Sequence, residues 1–132
     1  MIGSGGVAER IVVCGSIHAH RVVVPAARVD VIGEQHDAER EGVYITDVAS
    51  VLRVSPPPGP RRALRVVAGD AARWLVMGDS ISVRTLPAEA FGGFPEWLTG
   101  VSASLPFSGL VALDGAFAVE LDLTRLVSSE VP

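Results

Sequence analysis

At 132 residues with a net charge of −4 and a pI near 5.3, the chain is the size of one compact domain, able to bury roughly two thirds of its unfolded surface. It has no broad basic face with which to neutralise a nucleic-acid backbone or an anionic membrane. Apolar residues make up 48% of it and aromatic ones 5%, and 21 residues are valine, a β-branched type that suits pleated strands and predicts an all-β or β-rich fold. Cys14 is the single cysteine, which excludes an internal disulfide and a multi-cysteine metal site and fits a reducing, cytoplasmic setting. No apolar run reaches the ~18 residues of a membrane span, so no direct membrane contact is expected.

Residues 1–9 are glycine-rich without periodicity and read as a flexible leader to a single domain spanning 10–132. Arg10 to Cys14 and Arg21 to Val24 are apolar runs around Gly15-Ser16, which predicts a hairpin, with His18-Ala19-His20 read as its exposed tip. Pro25 ends the second run, Ala26 to Arg28 makes a single turn, and Val29 to Ile32 is a third strand. Gly33 to Glu41 holds four acidic residues in nine and reads as an exposed loop. Gly42 to Thr46 returns to strand-type residues, and Asp47 caps one or two helical turns through Leu52. The proline-rich segment 55–61 cannot donate ladder hydrogen bonds and divides the chain into a first subdomain, 10–54, and a second, 62–128.

In the second half, Ala63 to Ala68, Trp74 to Met77 and Ile81 to Leu86 are separated by Gly69-Asp70 and Gly78-Asp79, which predicts three consecutive antiparallel strands. Phe91, Phe94 and Trp97 follow among prolines and glycines, as plugs for a barrel end or as anchors for a partner. Asp114-Gly115 between two apolar runs is the strongest hairpin signal, since both positions accept the positive φ of a type I′ turn. Asp122, like Asp47, stands between a strand and a short amphipathic turn and is read as its cap.

This repeated plan of hairpin, strand, hairpin and capped turn resembles the CheW family of chemosensory coupling proteins. The likeness rests on Val83-Arg84-Thr85-Leu86-Pro87, Leu98, Gly100, Ser108 to Gly115 and Leu121-Asp122-Leu123, and more loosely on Val23 to Val29, Gly42 and Thr46-Asp47-Val48. It implies two small SH3-like, five-stranded β-barrel subdomains, the first truncated, in a non-catalytic adaptor without cofactors. It further implies that such an adaptor joins a CheA-like histidine kinase to a chemoreceptor or an accessory signalling protein. The family carries a longer proline-containing segment and an Asn-Leu-Arg-Gly-type hairpin where this chain has Gly33 to Glu41, and Arg40-Glu41-Gly42 is what remains of it. Losing strands from a barrel exposes ladder edges, which the acidic segment, a second copy in a homodimer, or a different partner would cover.

Candidate partner-binding residues are Arg40, Gly42 and Tyr44 around that shortened segment. For the kinase contact they are Leu75, Met77, Val83, Leu86 and Phe91 on the strands and loop of the second half. Competing readings are a competitor of a true coupling protein, and a ligand-binding barrel lined by Tyr44, Trp74, Trp97 and the histidines. His18 and His20 as metal ligands, or His20 with a carboxylate as a hydrolase, lack a third residue at a telling spacing. No Gly-x-Ser-x-Gly elbow or phosphate-binding glycine loop occurs, and Cys14 reads as a core residue.

Overall fold

The computed structural model describes residues 9–41, 44–94 and 106–129. Its elements, in chain order, are β1 (Glu9–Ile17), β2 (His20–Pro25), β3 (Val29–Glu34), α1 (Gln35–Glu41), β4 (Ile45–Asp47) and α2 (Val48–Leu52), then β5 (Arg62–Ala68), β6 (Ala71–Val76), β7 (Ile81–Pro87), β8 (Phe91–Gly92), β9 (Phe107–Leu113), β10 (Ala116–Leu121) and α3 (Leu123–Ser129). The fold is all-β with short helices, as composition and resemblance predicted. Its strands form one sheet of six, ordered β7-β1-β2-β10-β9-β8, and one of four, ordered β3-β5-β6-β4, in place of five and five.

Each sheet draws strands from both sides of the 55–61 segment, so the pairing does not follow consecutive halves. The hairpin β1–β2 sits inside the sheet completed by β7 to β10, while β5–β6 lies between β3 and β4. β7 pairs antiparallel with β1, from Glu9 against Pro87 to Gly15 against Ile81. It does not add to β6 as the Gly78-Asp79 turn signal predicted, because the chain crosses to the other sheet at that point. Gly78 N–H donates to Ser16 O at 2.9 Å, and a Cβ on Gly78 would lie 2.2 Å from that oxygen. A glycine is what allows the two backbones to approach.

The six-stranded sheet is strongly curled. Strands lie about 4.8 Å apart, so in a flat sheet β7 and the β9–β10 turn would stand roughly 14–19 Å from one another. Yet Arg84 on β7 meets Asp114 in that turn at 2.8 and 3.0 Å. Val12, Cys14, Val23, Leu86, Val111, Leu113 and Ala118 fill the inside of the curl. The opposite face carries Val13, Ile17, Val22 and Val24, which pack against Leu64, Val66 and Leu75 of the smaller sheet, against Met77 just past β6, and against α2 and α3. Val22, Val23 and Val24 are all fully buried because β2 is an interior strand covered on both faces.

Several local readings shift. The first hairpin turns at His18-Ala19, within the expected tip, with His18 at φ 54°, while Gly15-Ser16 lies within β1 and makes no turn. The Gly33 to Glu41 segment is the end of β3 followed by a helix, Gln35–Glu41, rather than a loop. Ala38 is fully buried against Ala63, Trp74 and Val76, and Asp37 Oδ2 accepts from Glu34 N–H at 2.8 Å, while most of the acidic side chains face solvent. Asp114-Gly115 turns as predicted, at φ 52° and 79°, and Asp122 Oδ1 accepts from Arg125 N–H at 3.1 Å.

Asp47 caps α2 by accepting from Ala49 N–H at 2.9 Å. It also receives both terminal nitrogens of Arg61, at 2.7 and 2.8 Å. Arg61 is 7% exposed, and its Nε donates to Met77 O at 2.7 Å. These bonds hold the Asp47 carboxyl below the usual carboxylate range, Arg61 contributing most and burial opposing. A depressed carboxylate contributes stability that is complete above its unfolded pKa, ~3.9, and is lost as pH falls through that value to the lower folded one. Asp47→Asn therefore flattens the acid limb of the stability–pH curve. At neutral pH it costs about 3 kcal/mol, because it leaves a buried guanidinium uncompensated, as urea denaturation across a pH series will measure. Gly78→Ala is expected to cost ~2–4 kcal/mol, read from the urea midpoint at unchanged slope.

Candidate functional site

The side chains proposed for partner contact fall into three environments. Leu75 and Met77 are fully buried between the sheets and Leu86 is buried inside the curl, so none of the three lies on a docking surface of the folded chain. All of Trp74, Leu75, Val76 and Met77 are buried, since β6 is covered by α1 on one face and by the central core on the other. Phe91 is half-buried against the inner cluster, with the Arg10 guanidinium 4.5 Å from its ring centre. Arg40 is exposed on α1 and bonds Asp37 at 3.2 Å. Tyr44 is 74% exposed with Arg73 above its ring, and Val83 is 57% exposed on β7. Gly42, Leu98, Gly100 and Trp97 lie outside the described residues.

The sheet edges differ in how they are protected. Edge strands present unpaired backbone groups and are commonly guarded by charges, bulges or brevity. β3 carries Asp30 and Glu34, paired with Arg65 and Arg62, and its register shifts between Val29 and Val31. β4 is three residues long and β8 two. β7 is seven residues long, pairs with β1 without interruption, and shows Ser82, Val83 and Thr85 to solvent.

Side chains on one face of this pair follow from register. Val13 is opposite Val83 and Ile11 opposite Thr85, so Ile11, Val83 and Thr85 share the face that becomes core further along at Val13 and Ile81. Ile11 is 56% exposed. The alternate residues Ser82 and Arg84 point into the curl, where Arg84 is tied to Asp114. The outward face of β7 thus carries β-branched side chains and no charge. Ile11 escaped the sequence reading because Ile11 to Cys14 is an unbroken apolar run with no alternation to separate inside from outside.

Around the shortened segment, Glu41 Oε1 accepts from Trp74 Nε1 at 2.7 Å and from Arg65 Nε at 2.9 Å. These two bonds, Trp74 first, hold its carboxyl below the usual range. Glu41 therefore fastens the end of α1 to the four-stranded sheet. His18 stands at the tip of the first hairpin with Nε2 2.8 Å from Ser55 O, and His20 is exposed at the start of β2. Among the described residues no three His, Cys, Asp or Glu side chains gather as a metal site, and no helix is long and apolar enough to cross a membrane. Trp74 is buried beneath α1 while Tyr44 stands at the surface, and the interior is packed with valine and leucine. Burial raises the Cys14 thiol pKa, in keeping with a core cysteine.

No family model matches the chain, and no curated protein matches it in sequence. In structure it is similar to the scaffolding protein TtCheW from Thermoanaerobacter tengcongensis, with a TM-score of 0.67 over 86% of this chain and 89% of that one, at 12% identity. The likeness establishes a CheW-like fold.

The two classes of candidate residue separate by stability. Leu75→Ala is expected to cost ~2–5 kcal/mol, whereas Tyr44→Ala, which removes an exposed ring and its guanidinium contact, costs under about 1 kcal/mol. Thermal denaturation of the two variants measures both.

Proposed function

We propose that this CheW-like chain is a non-catalytic scaffold of a bacterial chemosensory pathway, acting in the cytoplasm and binding the regulatory domain of a CheA-like histidine kinase along the β7–β1 edge. The observation that carries the reading is the contrast between that edge and the others: long, regular and β-branched, where β3 is charged and bulged and β4 and β8 are short. A partner strand laid along β7 would satisfy its outward backbone groups, and Val83 and Ile11 would supply the apolar centre from which water is excluded. An interface of this kind buries on the order of 1,200–1,600 Å². The fold likeness to a protein described as a scaffolding protein supports the adaptor role.

A second feature bears on the other partner. The family resemblance places the coupling hairpin between Ile32 and Gly42, and here that span is the end of β3 and α1, docked through Ala38 and Glu41 onto the four-stranded sheet. This favours a chain whose chemoreceptor contact is replaced, either by an accessory signalling protein or by a role as competitor of a complete coupling protein.

Size-exclusion chromatography with light scattering, on the chain alone and mixed with the regulatory domain of a chemosensory kinase from the same genome, tests the proposal. A stoichiometric complex is expected, weakened at least tenfold by Val83→Asp at unchanged melting temperature. Absence of a complex, a homodimer that ignores the kinase, or a complex indifferent to Val83→Asp contradicts it.

A further inference from the structure

The curl of the six-stranded sheet opens at one end into a 440 Å³ cavity whose walls include Ser16, Arg21, Ser80, Ser82, Arg84 and Asp114. That volume lies within the range of small-molecule sites, about 300–1,000 Å³. Two guanidinium groups share one carboxylate there. Arg84 forms a two-point pair with Asp114 at 2.8 and 3.0 Å, and Arg21 Nη1 reaches Asp114 Oδ2 and Leu113 O, each at 3.3 Å. Asp114 is held in the left-handed turn of the β9–β10 hairpin, at φ 52°, so its position is fixed by the backbone. The three groups sum to a charge of +1. Among the described residues Arg21 Nε and Nη2 and Arg84 Nε have no protein partner.

The remainder of the wall suits the same ligand. Ser16, Ser80 and Ser82 contribute hydroxyls, and Cys14 and Gly15 line it without charge, since burial keeps the Cys14 thiol protonated. Guanidinium forks with unused N–H donors, in a partly enclosed space with neighbouring hydroxyls, suit planar or tetrahedral oxyanions. We infer that this cavity binds a small ligand through a carboxylate or phosphate group, held by Arg21 and Arg84 and oriented by the serine hydroxyls. Arg84 and Ser82 point into the curl while Val83 points outward from the same strand, so this site is separate from the proposed docking edge and stands independently of it.

Two-dimensional ¹H–¹⁵N NMR titrations with inorganic phosphate and with succinate, against sodium chloride at matched ionic strength, test the inference on the full chain. One or both oxyanions are expected to give saturable shifts at the amides of Gly15, Ser82 and Asp114, phosphate alone indicating a phosphoryl ligand and succinate alone a carboxylate. Arg84→Gln is expected to abolish the response. Asp114→Asn keeps a residue that tolerates the left-handed turn and leaves both guanidinium groups uncompensated, and is expected to tighten the response about tenfold. No saturable shift with either oxyanion, an equal response to chloride, or an affinity unchanged in Asp114→Asn overturns the inference.

Discussion

Arg61 is a buried cation at the junction of four elements. Its guanidinium closes on Asp47, which caps α2 at the end of β4, and on the carbonyl of Met77 at the end of β6. Its own carbonyl accepts from Gln35 N–H at the start of α1. The next residue, Arg62, exchanges backbone bonds with Met77 and Gly78, and Gly78 in turn donates to Ser16 of the larger sheet. A buried ion pair is weak evidence for net stability, because desolvation offsets most of the attraction. What this one supplies is position: removing either partner strands the other, so β4, β6 and α1 are held to one arrangement.

That arrangement decides which surfaces remain open. With α1 fixed over Ala63, Trp74 and Val76, the outer face of the four-stranded sheet is partly covered, and its β3 edge is closed by charges. α2 and α3 complete the core between the sheets. β7 is left as a long, regular edge because Gly78 sends the chain across to β1 instead of letting β7 continue from β6. The same crossover brings Arg84 into the curl opposite Asp114 and leaves Val83 facing out. One glycine contact and one alternation of side chains thus generate both the open β7 edge and the cationic cavity.

What could be read from residues alone was local. Asp114-Gly115 and the Asp47 and Asp122 caps are short-range patterns whose chemistry is contained in a few neighbours, and the structure holds all three. The β1–β7 pairing joins segments about 70 residues apart, with no local signature, and the glycine-aspartate at 78–79 argued for a hairpin instead. α1 carries a single buried residue, Ala38, too little to set a helical period against four acidic neighbours. Leu75 and Met77 could not be separated from surface residues because β6 is apolar on both faces. Arg61 was hidden at the end of a proline-rich stretch that reads as linker. The resemblance to the CheW family, carried by residues spread through the chain, is what reached the fold.

The central proposal is that the β7–β1 edge of this CheW-like fold is where a kinase regulatory domain would dock. Hydrogen–deuterium exchange of the chain with and without the kinase regulatory domain tests it most directly. Protection on binding is predicted along residues 81–87 and 9–13, with α1 and β3 unchanged. Protection concentrated on α1 and β3, with residues 81–87 exchanging as in the free chain, would contradict it.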